Sequence, residues 1–531
     1  MIRNMPMPDA VFTWSAEGEV PRAARPDDDD EWAAEGAVIR ASPAPDGLRL
    51  SVTSHSPLSG VAVRWNRGLP EGCLVLGDAW ERSYGDLRWE PPRAERALPW
   101  YWIATEPGGG IRGAGVRVRP TALCSWTADT AGVTLWLDVR SGDRPLELGE
   151  RELALATLVE LESHEGTAFD ALGELCAALC SDPIVPDRPV FGSNNWYYAY
   201  GVGFDADAVL RDAETVVRAA EGTDQAPFCV IDAGWSEGGT APGGPWDRGM
   251  GTFSEMADVA ARIRAAGALP GLWFRPLLSR RQVPGSRHER LDGDWPLDPS
   301  RPETLALVAE SVARFRDWGY ELIKHDFSTY DVFGRFLQRS DHQVGAPRWS
   351  FADARRTTAE ILIELYRTIH DAADGAIVLG CNTIGHLAAG LEHIHRIGDD
   401  TSGREWERTR RMGVNTLAFR LAQNRRFFLV DADCVPSTPQ TPWARNREFL
   451  ELVAAGGTAT FVSIDPKTLT DDVAADIARA AQRVLAGDDA GGIEPLDWQS
   501  ASTPRRWRVG DEHHVCCWEQ PWGADIRAAA L

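Results

Sequence analysis

From residue 190 onward the chain carries eight short apolar runs, followed or separated by six longer amphipathic stretches. The runs fall at 190–196, 228–232, 269–274, 322–326, 376–380, 393–397, 426–430 and 459–463. The stretches at 206–220, 256–266, 302–318, 352–372, 405–422 and 446–454 carry apolar residues at helical spacing. Short buried strands separated by helices predict parallel pairing, because a helical crossover returns the chain to the same end of the sheet. Eight such units over about 290 residues predict a (β/α)8 TIM barrel. A doubly wound open sheet is the competing arrangement, but no G-x-G-x-x-G follows any of these runs.

The residues before the repeat have a different texture. Segments at 48–53, 60–65, 116–118 and 133–139 are short, rich in Val, Leu, Trp and Thr, and punctuated by Gly, Pro and Asp. They predict a β-sandwich. A helical stretch at 166–179 leads into a Pro-rich linker at 183–189. The acidic run at 27–31 reads as a solvated loop. After about residue 495 the texture returns to Trp-rich alternation. The expected organisation is an N-terminal β-sandwich at 1–185, a (β/α)8 barrel at 186–480 and a short, truncated β unit at 481–531.

Composition excludes several function classes. There are 55 basic and 78 acidic residues, a net charge of −23. Nucleic acids and anionic membranes need basic patches, so neither is an expected partner. No run is long and apolar enough to span a bilayer, no signal peptide is read at the N-terminus, and nine irregularly spaced Cys suggest neither a disulfide framework nor zinc. A cytoplasmic location is expected. The 22 Trp would suit sugar-binding platforms as well as cores. Only two basic residues are Lys, Lys324 and Lys467, the remainder being Arg; a lysine that persists against such a bias raises the question of what an arginine could not do there.

In a barrel of this kind chemistry sits at the carboxyl ends of the strands. Those ends carry Asn194, Asn195, Trp196 and Tyr197; Asp232 and Trp235; Trp273 and Arg275; Lys324, His325 and Asp326; Cys381 and Asn382; Arg396, Asp399 and Asp400; Asp431 and Asp433; and Asp465. Any one Asp could be a turn former or helix cap. Carboxylates, cations and rings together suit glycoside cleavage, which needs one ionised carboxylate and one proton-donating carboxyl. Lys324 and Asp326 are two apart and share a strand face, so the ammonium would hold Asp326 ionised. The Asp399–Asp400 doublet would raise one of its own pKa values, as a general acid requires.

Four motifs resemble those of the retaining α-glycosidases of the α-galactosidase and raffinose synthase clan, glycoside hydrolase families 27 and 36. They are FCVIDAGW at 228–235, PGLWFRP at 270–276, the block DWPLD at 294–298 followed by LIKHDF at 322–327, and RIGDDT at 396–401. The resemblance implies Asp326 as nucleophile and Asp399 as acid/base, with Asp400 as the alternative acid. It places Asp232, Trp235, Trp273, Lys324, Cys381 and Arg396 around the sugar, and Asn382, Trp196 and Asp433 are further candidates from the strand ends. Arg275 would reach a carboxylate or phosphate, or pair with a neighbouring Asp. No cofactor or metal is implied. Where α-galactosidases carry an Asp pair on the second strand, this chain has Asp232 followed by Ala233; a missing carboxylate changes which hydroxyls a sugar site selects, so the sugar is left open.

The expected activity is cleavage of α-galactoside-like glycosides by double displacement, with a carbohydrate substrate as partner. A raffinose-synthase-type transglycosidase and a catalytically inactive carbohydrate-binding protein remain alternatives, and a homo-oligomer is open. A metal site from His386, His393 and His395 is a weaker rival, since no compact motif such as H-E-x-x-H joins them.

Overall fold

The computed structural model of the chain describes residues 1–15, 20–26, 31–34, 36–337, 349–487 and 492–518. Four of the five positions of the acidic run lie outside the described residues; Glu31 alone falls inside.

The second half of the chain forms a nine-stranded parallel sheet. Its strands are β1 (Phe191–Asn194), β2 (Phe228–Ile231), β3 (Leu269–Phe274), β4 (Leu322–His325), β5 (Ile377–Gly380), β6 (Ile394–Arg396), β7 (Leu429–Asp431), β8 (Val435–Ser437) and β9 (Thr460–Ile464). Each of the eight apolar runs overlaps one of these strands, β7 and β9 extending one residue past the runs at 426–430 and 459–463. The spatial order is β7-β6-β5-β4-β3-β2-β1-β9-β8. A parallel bridge between Asp431 and Ala459, with the Ala459 amide donating to Val430 O at 2.9 Å, also ties β7 to the start of β9. Nearly every residue of these strands is buried, which is why they read as continuous apolar runs rather than as alternating ones.

Helices occupy the connections where the spacing predicts them, including Ala206–Ala219, Met256–Ala265, Pro302–Asp317 and Trp443–Ala455. Two differences have local causes. The helix expected from 352 starts at Thr358, because Thr357 and Glu360 form a reciprocal capping box there. The stretch expected as one helix over 405–422 is Trp406–Thr409, a π-helical segment Arg410–Asn415 and Thr416–Arg420. Within it the Thr416 hydroxyl donates back to the carbonyls of Met412 and Gly413 and competes with the regular ladder. A further helix, Asp471–Leu485, capped by Thr470, presents Val473, Ile477, Ala480, Ala481 and Val484 to the core; its spacing is legible in the sequence but was not among the expected helices.

The first 163 residues build two antiparallel sheets, of nine and six strands. The long strand Leu153–Ser163 lies between Gly47–Ser54 and Ile111–Val116 in the larger sheet, and Gly60–Trp65 lies between Ala10–Trp14 and Val133–Asp138 in the smaller. Near the C-terminus Ile493–Pro495, Arg506–Val509 and Glu512–Val515 form a three-stranded antiparallel sheet. Much of the tryptophan goes into cores: Trp65, Trp80, Trp100, Trp126, Trp507 and Trp518 are all buried.

Candidate active site

The carboxyl ends of β1 to β7 bring one continuous network of charged side chains together. At its centre Asp232, just past β2, accepts from Lys324 Nζ at 2.6 Å and from Asn194 Nδ2 at 2.7 Å on the same oxygen. Its other oxygen takes the Ala233 amide at 2.8 Å. Burial is the largest single effect on Lys324 and opposes its charge, but the adjacent Asp232 carboxylate and the other groups around it together hold the ammonium above its ordinary range. The turn that follows needs its glycine. Gly234 has φ +114°, and a Cβ there would stand 2.5 Å from Gly201 O.

Asp326 lies one residue beyond β4, where Phe327 adopts a left-handed backbone at φ 63°. That turn directs the carboxylate toward β3. The indole Nε1 of Trp273 donates to Oδ2 at 3.2 Å and the Phe327 amide donates to Oδ1 at 2.7 Å. The expected Lys324–Asp326 pairing is therefore replaced by Lys324–Asp232, since Asp326 leaves the strand face before it can share it. The Phe327 ring is covered by the Arg275 guanidinium at 4.3 Å. A bulky residue in the left-handed region carries strain of order 1–3 kcal/mol that its surroundings must offset.

Around β6 and β7, Arg396 is 1% exposed and meets Asp433 at 2.7 Å, Asp431 at 3.2 Å and Asp400 at 3.5 Å. Asp433, with φ 74°, splits β7 from β8. It accepts from the Tyr197 hydroxyl and from the Thr401 amide at 2.7 Å. Burial pushes its carboxyl up, against the pull of Arg396. Cys381, also buried, lies within electrostatic reach of Asp326, Arg396, Lys324 and Arg82, which links the two halves of the network.

The doublet differs from the expectation that mutual repulsion would raise one pKa. Asp399 Oδ1 pairs with Arg82 at 2.8 Å and Oδ2 accepts from Arg408 at 2.6 Å. Asp400 stands 3.5 Å from Arg82 and 3.5 Å from Arg396, with its side chain 35% exposed. Burial would raise its carboxyl, but Arg82, Arg396, Lys324 and Arg408 together hold it below the usual range. Cations dominate because four of them surround the pair.

Four further candidates are held by contacts with neighbouring side chains and loops. Trp235 is buried, donates to Trp273 O at 2.9 Å and packs on Trp246, Phe315 and Trp318, so it supports β3 from behind. Arg275 is held by Asp331 through two nitrogens and by Asp292 at 3.2 Å; of the openings left by sequence, the pairing with a neighbouring Asp is the one found. Asn382 donates to Glu81 at 2.7 Å and accepts from the Tyr330 amide at 3.0 Å, bracing loops rather than facing an opening. Trp196, partly buried, packs on Tyr200.

The histidines are dispersed. His386 bonds Val116 O at 2.7 Å and stacks on Trp100, while His325 and His395 flank Glu392 at 3.1 and 3.0 Å. Burial drives His386 down to about 3. Among the described residues no cluster of three or more His, Cys, Asp or Glu is placed to hold a metal.

Sequence reasoning missed Glu81, Arg82 and Arg408, and gave Asn194 a place on the rim but no role. Asn194 sits at a strand end and was legible as a rim residue. Glu81 and Arg82 were not, because they come from the antiparallel part of the chain. Glu81 is buried, and burial pushes its carboxyl up to about 7 against Arg82 and donors from Tyr84, Leu337 and Asn382.

No protein-family model matches the chain, and no curated protein does. Solved structures do. The α-galactosidase of Thermus thermophilus, in complex with p-nitrophenyl α-D-galactopyranoside, aligns with a TM-score of 0.60 at 17% identity, covering 90% of this chain and 96% of that one. The GH36 α-galactosidase AgaA of Geobacillus stearothermophilus aligns at 0.57 and 13% identity, covering 90% and 70%. The galactosidase domain of an α-galactosidase–sucrose kinase aligns at 0.58 and 14%, covering 96% and 74%. At these identities the likeness is one of fold, and it extends over most of the chain.

Proposed function

We propose that the protein is a retaining α-glycosidase that acts on an α-galactoside-like glycoside. The observation that carries the reading is Asp326. It is held at a strand end by one donor on each oxygen, and its charge, with those of Lys324, Arg396 and Arg82, acts on the buried Cys381 thiol, while Arg82 and Arg396 carry the doublet. Asp326 is the nucleophile: one donor on each oxygen fixes the orientation of its carboxyl group for attack on an anomeric carbon.

Asp400 is the acid/base, in place of Asp399. A general acid must take up and release a proton; both oxygens of Asp399 are tied to guanidinium groups while Asp400 is partly open, and because the cations hold Asp400 below the usual carboxylate range, a bound glycoside must weaken their hold for it to carry the proton. Lys324, Asp232 and Arg396 surround the sugar. The reaction forms a glycosyl ester on Asp326 as Asp400 protonates the leaving oxygen; Asp400 then deprotonates the water that releases the sugar. The fold shared with α-galactosidases supports this class.

In the same reading the parallel sheet is a closed (β/α)8 barrel, with β7 and β8 as one kinked strand. The Asp431–Ala459 bridge supports closure. The antiparallel sheets form a sandwich over 1–185, the barrel runs over 186–480 and a short β unit follows over 481–531. All nine cysteines are free thiols, in keeping with a reducing cytoplasm.

The test is a screen of p-nitrophenyl α- and β-glycosides, pentosides included. Hydrolysis of an α-glycoside with retained anomeric configuration, lost in Asp326→Ala, is expected. Binding without turnover on every substrate would favour an inactive carbohydrate-binding protein.

A further inference from the structure

Arg82 reaches the carboxylate doublet from outside the parallel sheet. It lies in the segment 78–87, between strands Leu74–Gly77 and Leu98–Pro99 of the antiparallel sheets. That segment is fastened to the parallel sheet on both sides of Arg82. Asp78 pairs with Arg420 at 2.8 Å and accepts from Gln423 at 2.8 Å. The Glu81 carbonyl accepts from Arg420 at 2.9 Å. Ser83 donates its amide to Ile397 O at 2.8 Å and accepts the Asp399 amide at 2.7 Å. Leu87 exchanges two hydrogen bonds with Asn415. The backbone that carries Arg82 is thus set by contacts other than its own ion pairs.

The Arg82 side chain is 6% exposed, its guanidinium 5.1 Å from the Phe336 ring centre. It meets Asp399 at 2.8 Å and Asp400 at 3.5 Å. We propose that Arg82 is a positioning residue for acid/base catalysis: it clamps the Asp399 side chain against Arg408, and leaves Asp400 as the carboxyl that exchanges a proton with the glycosidic oxygen. The antiparallel part of the chain thereby completes the site. This rests on the glycosidase reading above.

The charges around the doublet set the sign of its pH dependence. Arg82, Arg396, Lys324 and Arg408 face Asp400 and favour its ionised form. The Asp433 carboxylate repels that of Asp400 and opposes them. Tyr84 and Glu81 flank Arg82. Removing Arg82 removes a major cation, so the Asp400 carboxyl holds its proton to higher pH. The alkaline limb of kcat/KM follows the acid's ionisation and moves up with it.

The test uses the full chain with Asp carboxyls labelled with carbon-13, their resonances assigned through Asp399→Asn and Asp400→Asn. In Arg82→Met both titration midpoints should rise by about one to three units, the span for loss of a close opposite charge. Arg82→Lys should restore the midpoints and part of kcat. With p-nitrophenyl and methyl α-D-galactopyranosides as probes, kcat of Arg82→Met should fall about 100-fold on the methyl glycoside. It should fall less on p-nitrophenyl, whose oxygen leaves with little acid assistance, and the alkaline limb should move up.

Unchanged midpoints in folded Arg82→Met would overturn the proposal. So would equal losses on both probes with an unmoved limb. If the wild type hydrolyses neither these probes nor any glycoside of the screen yet the midpoints still shift, the glycosidase reading fails and the hold of Arg82 on the doublet stands. Arg82→Gln gives the same titration should the methionine variant not fold.

Discussion

Lys324→Met should both destabilise the protein and abolish turnover, for separable reasons. Nζ lies 2.6 Å from Asp232 Oδ2, with both side chains about 95% buried. At an effective dielectric constant near 20 the attraction is about 6 kcal/mol. Part of it offsets the desolvation of two charges, so losing one partner costs about 3–5 kcal/mol, the value for an uncompensated buried charge. Asn194 and the Ala233 amide stay on Asp232, which puts the expectation near the lower figure. At roughly 2 °C per kcal/mol for a large cooperative unit, the calorimetric Tm should fall by about 6–8 °C. Lys324→Met combined with Asp232→Asn should recover most of that loss, since no lone charge is left, while turnover stays absent. Lys324→Arg keeps the charge, but its broad guanidinium must fit beside Cys381 and Arg396, and it should lose most activity. An unchanged Tm in Lys324→Met, or a double variant no more stable than the single, would refute the electrostatic argument. Wild-type activity in Lys324→Arg would return the scarcity of lysine to coding bias alone.

Other outcomes follow from the same geometry. Trp273→Phe keeps the ring against Trp246 but removes the donor to Asp326; hydrogen bonds to charged groups are worth about 1.5–3 kcal/mol, so kcat should drop about 10- to 100-fold with Tm little changed, read by steady-state kinetics and calorimetry. Glu81, with its carboxyl at about 7 against an ordinary 4.5, holds its proton more tightly folded than unfolded. Its contribution to stability is complete below about pH 4.5 and is lost as pH rises through 7, on the order of 3 kcal/mol. Urea midpoints at pH 4.5 and 7.5 should show that decline in the wild type and a smaller one in Glu81→Gln; equal declines would contradict it. Arg275→Met strands the buried Asp331 and uncovers Phe327, and should lower both Tm and kcat, whereas Arg290→Met, an exposed change in the same loop, should alter neither.

What was legible in the sequence and what was not divide along one line. The parallel strands could be read because a buried strand is a local apolar run, and the rim because polar residues follow those runs directly. The direction of Trp235 was not legible because its motif gives its neighbours alone; the chain turns at Gly234 and packs the indole on Trp246, Phe315 and Trp318. Lys324 and Asp326 seemed to share a face by strand periodicity, which ends at His325, and the left-handed Phe327 then re-aims the carboxylate. The state of the doublet was illegible for a longer-range reason. Its charge balance depends on Arg82, more than 300 positions earlier in the chain, and on an ion-pair network that no local spacing encodes.

The central claim is that Asp326 forms a covalent bond to the sugar. A 5-fluoro-α-D-galactosyl fluoride incubated with the enzyme, followed by digestion and peptide mass spectrometry, reads this directly. The account predicts one glycosyl adduct per chain, on Asp326, with none in Asp326→Ala. An adduct on another carboxylate, or turnover of the reagent with inverted configuration and no adduct, would contradict it.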